Sequence, residues 1–144
     1  MNRNFRVAQT FRLASILWGM IAAGCLGNPG QPDDIALGQS FELRAGASAS
    51  LQGGLKVSFD RVGSDSRCPM DAICVWAGDA VIILSISEAS SGRDDRELHT
   101  AAGGSETSDR AYLVKLVALA PYPRSDQPIR PGDYVATFVV TRRP

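Results

Sequence analysis

LKVSFDRV, residues 55–62, sets Leu55, Val57 and Phe59 in alternation with Lys56, Ser58 and Asp60. A period of two is that of a strand with one face in a core and the other in water. The same period recurs outward from this stretch. DYVATFVVTR (133–142) alternates Tyr134, Ala136, Phe138 and Val140 with Val135, Thr137, Val139 and Thr141, which predicts a strand whose second face is partly covered. AVIILSIS (80–87) is a β-branched run. AYLVKLVALA (111–120) is apolar on both faces, and the Pro121-Tyr122-Pro123 that follows favours a strand with an abrupt stop over a helix. Weaker strands fall in ALGQSFELRA (36–45) and RELHT (96–100). The stretches 45–54, 88–95, 101–110 and 121–132 carry turn chemistry. The expected fold is therefore all-β: a small antiparallel sandwich of about six to seven strands over residues 35–144, with Greek-key, immunoglobulin-like connectivity.

Composition agrees. The chain has 144 residues, enough for one domain, with 14 glycines, 8 prolines and 7% aromatic residues. Formal charge is zero overall but uneven. Residues 1–24 hold Arg3, Arg6 and Arg12 and no acid, leaving 12 basic and 15 acidic residues beyond them. A net of −3 over that body argues against a nucleic-acid partner, which demands a concentrated basic face. Pro131-Gly132-Asp133-Tyr134 resembles the tyrosine corner of Greek-key sandwiches, whose hydroxyl bonds to backbone a few residues upstream.

The first 24 residues read as a signal peptide. A basic start precedes the apolar run LASILWGMIAA (13–23), whose 11 residues fall short of the ~20 that span a bilayer as a helix. Ala22-Ala23-Gly24-Cys25 then resembles the lipobox of bacterial lipoproteins, with Ala22 standing where leucine is usual. That resemblance implies that Cys25 is lipidated and becomes the mature N-terminus, giving a membrane partner through a lipid anchor. By resemblance to lipoprotein sorting in Gram-negative bacteria, Leu26 after the cysteine, where Asp would retain the protein, permits transfer to the outer membrane, whose periplasmic face is the expected location. Within residues 25–34, the lipidated cysteine and tether, GNPGQPDD (27–34) would then be an extended leash reaching at most roughly 25–30 Å.

DSRCPMDAICVWAGDA (65–80) holds the other two cysteines. In an oxidising compartment Cys68 and Cys74 are expected to form a disulfide that pinches an inter-strand loop, with Trp76 packing beside it. Two alternatives stay open. A redox pair prefers Cys-x-x-Cys, and Asp65, Asp71 and Asp79 would raise a thiol's pKa. A soft metal site could draw on Cys68, Met70, Cys74 and the single His99. The same segment, with ALAPYP (118–123) and PGDY (131–134), resembles a group of small secreted bacterial proteins and lipoproteins marked by DSRCP, C-x-WAG and PYP. The resemblance spans roughly residues 40–142, implies export, a sandwich and pairing of Cys68 with Cys74, and carries no mechanism.

Catalytic residues are not expected. His99 lies alone in a charged strand, no Gly-x-Ser-x-Gly elbow or phosphate-binding loop occurs, and adjacent acids on a strand face opposite ways. No cofactor and no resident metal are expected. The reading is a non-catalytic, membrane-anchored envelope lipoprotein whose partner is a protein, glycan or small ligand. Arg67, Trp76, Tyr122 and Arg124 are its candidate contacts. The alternative is a periplasmic ligand- or metal-handling domain centred on the Cys68–Cys74 loop.

Overall fold

In the computed structural model the described residues are 34–144, apart from 89–91 and 102. The signal peptide, Cys25 and nearly all of the tether lie outside them. Eight strands form: β1 (Ser40–Arg44), β2 (Ser48–Leu51), β3 (Leu55–Asp65), β4 (Ala80–Glu88), β5 (Asp94–His99), β6 (Glu106–Asp109), β7 (Tyr112–Ala120) and β8 (Val135–Arg142). A 3-10 turn, Pro131–Asp133, leads into β8. The strands make two four-stranded antiparallel sheets, β1-β8-β7-β6 and β2-β3-β4-β5.

The sandwich is as expected, and its connectivity is simpler. In the immunoglobulin order the second strand pairs with the fifth and the third with the sixth. Here β2 to β5 are one meander and β6 to β8 another, and the single non-consecutive pairing is β1 beside β8. Eight strands replace the expected six or seven because β2 and β6 lie inside stretches read as turns. Both are four residues long, and β6 (ETSD) offers no apolar alternation to read. Short polar strands suit a sheet edge, where an apolar one would invite aggregation.

The core follows the alternation. Leu55, Val57 and Phe59 of β3, Ile82, Leu84 and Ile86 of β4, and Ala136, Phe138 and Val140 of β8 are fully or almost fully buried. Phe138 stacks obliquely on Phe41 of its own sheet at 6.0 Å and edge-on against Phe59 of the other at 6.1 Å. That trio ties the two inner faces together. β7 departs from strict alternation. A bulge between Leu116 and Ala118 turns Val117 outward and brings Leu119, not Ala118, into the core. So β7 buries one face, not the two its composition suggests. Residues Pro32–Pro144 make one compact unit, and the whole buried cluster, Phe41 to Val140, lies within it.

Register also defines two ends. Leu51 and Leu55 pair at the β2–β3 turn, and Ile35 bridges to Leu51 there. Tyr112 and Arg142 pair at the same end, where the Tyr112 hydroxyl lies beside Gly53. Asp65 pairs with Ala80, and Ala120 with Val135, at the far end. The chain therefore enters the sandwich at one pole, and the cysteine loop projects from the other.

Candidate functional site: a stapled apolar loop

Residues 66–79 leave β3 and return to β4 as one extended loop. Its base continues the hairpin: the Ser66 amide donates to the Asp79 carbonyl at 2.7 Å and the Cys68 amide to the Ala77 carbonyl at 2.9 Å. Gly78 makes this approach possible. Its φ is +72°, and a Cβ there would lie 1.8 Å from the Ser66 carbonyl oxygen. The Cys68–Cys74 disulfide closes the loop, with Cα atoms 5.9 Å apart. The tip rests on the turn after β7. The Met70 amide donates to the Pro123 carbonyl at 3.0 Å, and Asp71 Oδ1 accepts from the Ser125 amide and hydroxyl at 2.9 and 3.1 Å. Those bonds hold the exposed Asp71 carboxyl below its usual pKa, the Ser125 amide foremost.

A buried ionic clamp fixes the loop to both sheets. Arg67 is only 6% exposed. Its Nε and Nη2 donate to Asp65 Oδ1 and Oδ2 at 2.9 and 2.6 Å, its Nη1 to the Leu119 carbonyl at 2.7 Å, and its Nη2 also to the Pro121 carbonyl at 2.9 Å. The guanidinium also lies over the Tyr122 ring, 4.9 Å from its centroid. Tyr134 donates its hydroxyl to Asp65 Oδ2 at 3.1 Å. This corrects the tyrosine-corner expectation, since the acceptor is a carboxylate on β3 and not upstream backbone. Burial pushes the Asp65 carboxyl up, but the Arg67 hydrogen bonds and charge outweigh it and hold the pKa below the usual value. Burial first, then the Asp65 charge and its hydrogen bond, raise Tyr134.

Each sequence-predicted contact now has a place. Arg67 is inside, its donors turned to the protein, so it positions the loop and does not present a charge. Trp76 does not pack beside the disulfide: it is 82% exposed, and neighbouring Val75 is 90% exposed. Tyr122 is half-exposed beside the loop, and Arg124 is exposed with its Nε 3.5 Å from Asp126. Sequence reasoning missed the clamp partners Asp65 and Tyr134. The signal was present in Asp65-Ser66-Arg67, since residues two apart on an extended chain share a face.

His99 is engaged elsewhere. Its Nδ1 lies 2.5 Å from Asp79 Oδ2, while Asp79 Oδ1 accepts from the Thr100 hydroxyl at 3.0 Å and the Ala101 amide at 2.8 Å. Burial raises the Asp79 carboxyl, and these bonds, led by His99, more than reverse it. An aspartate orienting a histidine is half of a nucleophilic site, and among the described residues no Ser, Thr or Cys side chain bonds the ring. With His99 on Asp79 and the two cysteines joined, the soft metal-ligand set does not assemble. Among the described residues no three His, Cys, Asp or Glu side chains converge.

Six large apolar side chains are exposed among the described residues, and four of them (Met70, Ile73, Val75 and Trp76) fall within residues 70–76. Single exposed apolar residues are ordinary, whereas four within seven residues of one constrained loop are not. No protein-family model, curated protein or solved structure matches this chain.

Proposed function

We propose that this is an exported, lipid-anchored and non-catalytic binding domain, and that the Cys68–Cys74 loop is the surface it offers to a partner. The observation that carries the reading is the exposure of Met70, Ile73, Val75 and Trp76 on a loop held by a disulfide, a buried Asp65–Arg67 pair and backbone bonds at both ends. An unconstrained loop loses conformational freedom on binding, and a prefixed one avoids that cost. Tryptophan and tyrosine in such a position are the usual anchors of an interface. The basic, apolar and Ala-Ala-Gly-Cys features of residues 1–25 support export and lipidation at Cys25, followed by outer-membrane sorting.

Site-specific photo-crosslinking in the producing bacterium tests the reading. A photoreactive residue at position 73 or 76 is expected to give a discrete protein adduct. The same probe at Lys56, an exposed residue near the chain-entry pole, is expected to give none. Absence of an adduct at both loop positions would contradict the proposal. Labelling with palmitate, lost in Cys25→Ser, tests the anchor.

A further inference from the structure

The ground beside the loop narrows the chemistry of the partner, given the binding reading above. An open cleft of about 490 Å³ runs between the Ala77–Gly78 end of the loop, the residues Thr100, Ala101 and Ser105, and the outer part of β7. Leu116, Val117, Ala118 and Leu119 line it along β7. β6 pairs with β7 only as far as Lys115, and the Leu116 amide donates to the Ser105 carbonyl just beyond. On its other side β7 stays paired with β8 to Ala120. Past Leu116, therefore, one edge of β7 has no strand opposite it among the described residues. The Arg67 guanidinium stops that edge at the Leu119 carbonyl.

Charge in the cleft is already settled. Arg67 is its one charged lining residue, and Asp65 neutralises it. Of five guanidinium N–H groups four have acceptors in the protein, which leaves one Nη1–H for a further acceptor. A charged segment entering here would lose water and meet no counter-charge.

We infer that the cleft receives an extended, uncharged, apolar peptide segment of the partner protein, laid along β7 in line with β6. Its backbone lies against the open edge of β7, its side chains pack on the lining residues Val117 and Tyr122, and it extends to the exposed Trp76, which precedes the lining Ala77. The bilayer that carries Cys25 does not fit as well. Eleven-residue β3 separates the chain-entry pole from the loop by about 30 Å or more, before the loop itself is counted. The ten residue steps from Cys25 to Ile35 reach at most roughly 33–36 Å, less than β3 and the loop together, so the loop pole does not meet that bilayer end-on.

The test pans a random dodecapeptide display library against residues 32–144, the compact unit that holds the complete core, immobilised through the C-terminus at the opposite pole. Val117→Lys and Trp76→Ala serve as counter-targets, with their melting curves checked first, since both positions are exposed. Enriched peptides are expected to be rich in Val, Ile, Thr, Tyr and Phe and poor in charge. They are expected to lose about tenfold in affinity on either variant, and to lose binding when a central residue is replaced by proline. Peptides that depend on Trp76 but ignore Val117, or that are charged, would overturn the cleft assignment and leave the loop reading standing. No peptide that distinguishes the domain from Trp76→Ala would count against both. Phosphatidylethanolamine–phosphatidylglycerol vesicles that shift the Trp76 emission would overturn the peptide in favour of a lipid surface.

Discussion

Among the described residues Asp65 and Arg67 form the most deeply buried ion pair, with both side chains at least nine-tenths buried. Removing one partner of such a pair strands the other charge and costs about 3–5 kcal/mol. Arg67→Ala is expected to show that loss in urea unfolding at neutral pH. The pH dependence follows from the direction of the shifts. Asp65 has a folded pKa below its unfolded value, so its contribution is present above about pH 4 and fades as pH falls through the folded pKa. Asp71 and Asp79 shift the same way from more exposed positions. Tyr134 has a folded pKa above its unfolded value, so its contribution holds below about pH 10 and is lost as pH rises through the folded pKa. Asp65→Asn should therefore flatten, without abolishing, the fall in unfolding free energy between neutral pH and pH 3. An acid limb as steep as that of the parent would show that the clamp does not govern it. Gly78 answers to sterics instead. Gly78→Ala sets a Cβ against the Ser66 carbonyl in a left-handed conformation and should cost about 2 kcal/mol or more, read as a lowered midpoint in urea.

The loop is the element on which these residues converge, and its staple has a calculable share. Closing a loop of about seven residues contributes roughly 2–2.5 kcal/mol through chain entropy. The double variant Cys68→Ser/Cys74→Ser should lose about that much in urea unfolding and still melt cooperatively, since the core lies elsewhere. The element scale also explains what could be read from the sequence. β3 and β8 were legible from their alternation, β4 from its β-branched run and β7 from its apolar content and the Pro121-Tyr122-Pro123 stop, and the pairing of Cys68 with Cys74 was legible from compartment and count. β2 and β6 were not, since SASL and ETSD at sheet edges carry almost no apolar period. Trp76 misled for a related reason. Large aromatics in small domains are mostly core, and nothing local in CVWAG tells a packed tryptophan from a presented one. The bulge at Val117, which opens the cleft floor, is equally silent, because VALA reads the same in either register.

At the scale of the whole molecule, the arrangement of poles gives the account its coherence. The chain enters at Ile35 beside the β2–β3 turn, and the stapled loop, the clamp and the cleft gather at the other end of β3. Cys25→Ser is expected to move the protein from the membrane fraction to the soluble one on cell fractionation, with the melting temperature of the domain unchanged. If the loop is rigid, apolar and open to water, Trp76 reports it, as the one tryptophan in residues 32–144. The most direct measurement is therefore its fluorescence, with iodide and acrylamide as quenchers. Red, water-like emission, fully accessible to both quenchers, is expected, together with slow anisotropy decay that becomes faster when the disulfide is reduced. Blue emission shielded from iodide would mean that Trp76 is packed against the domain, and the loop would then not be the surface through which this protein binds.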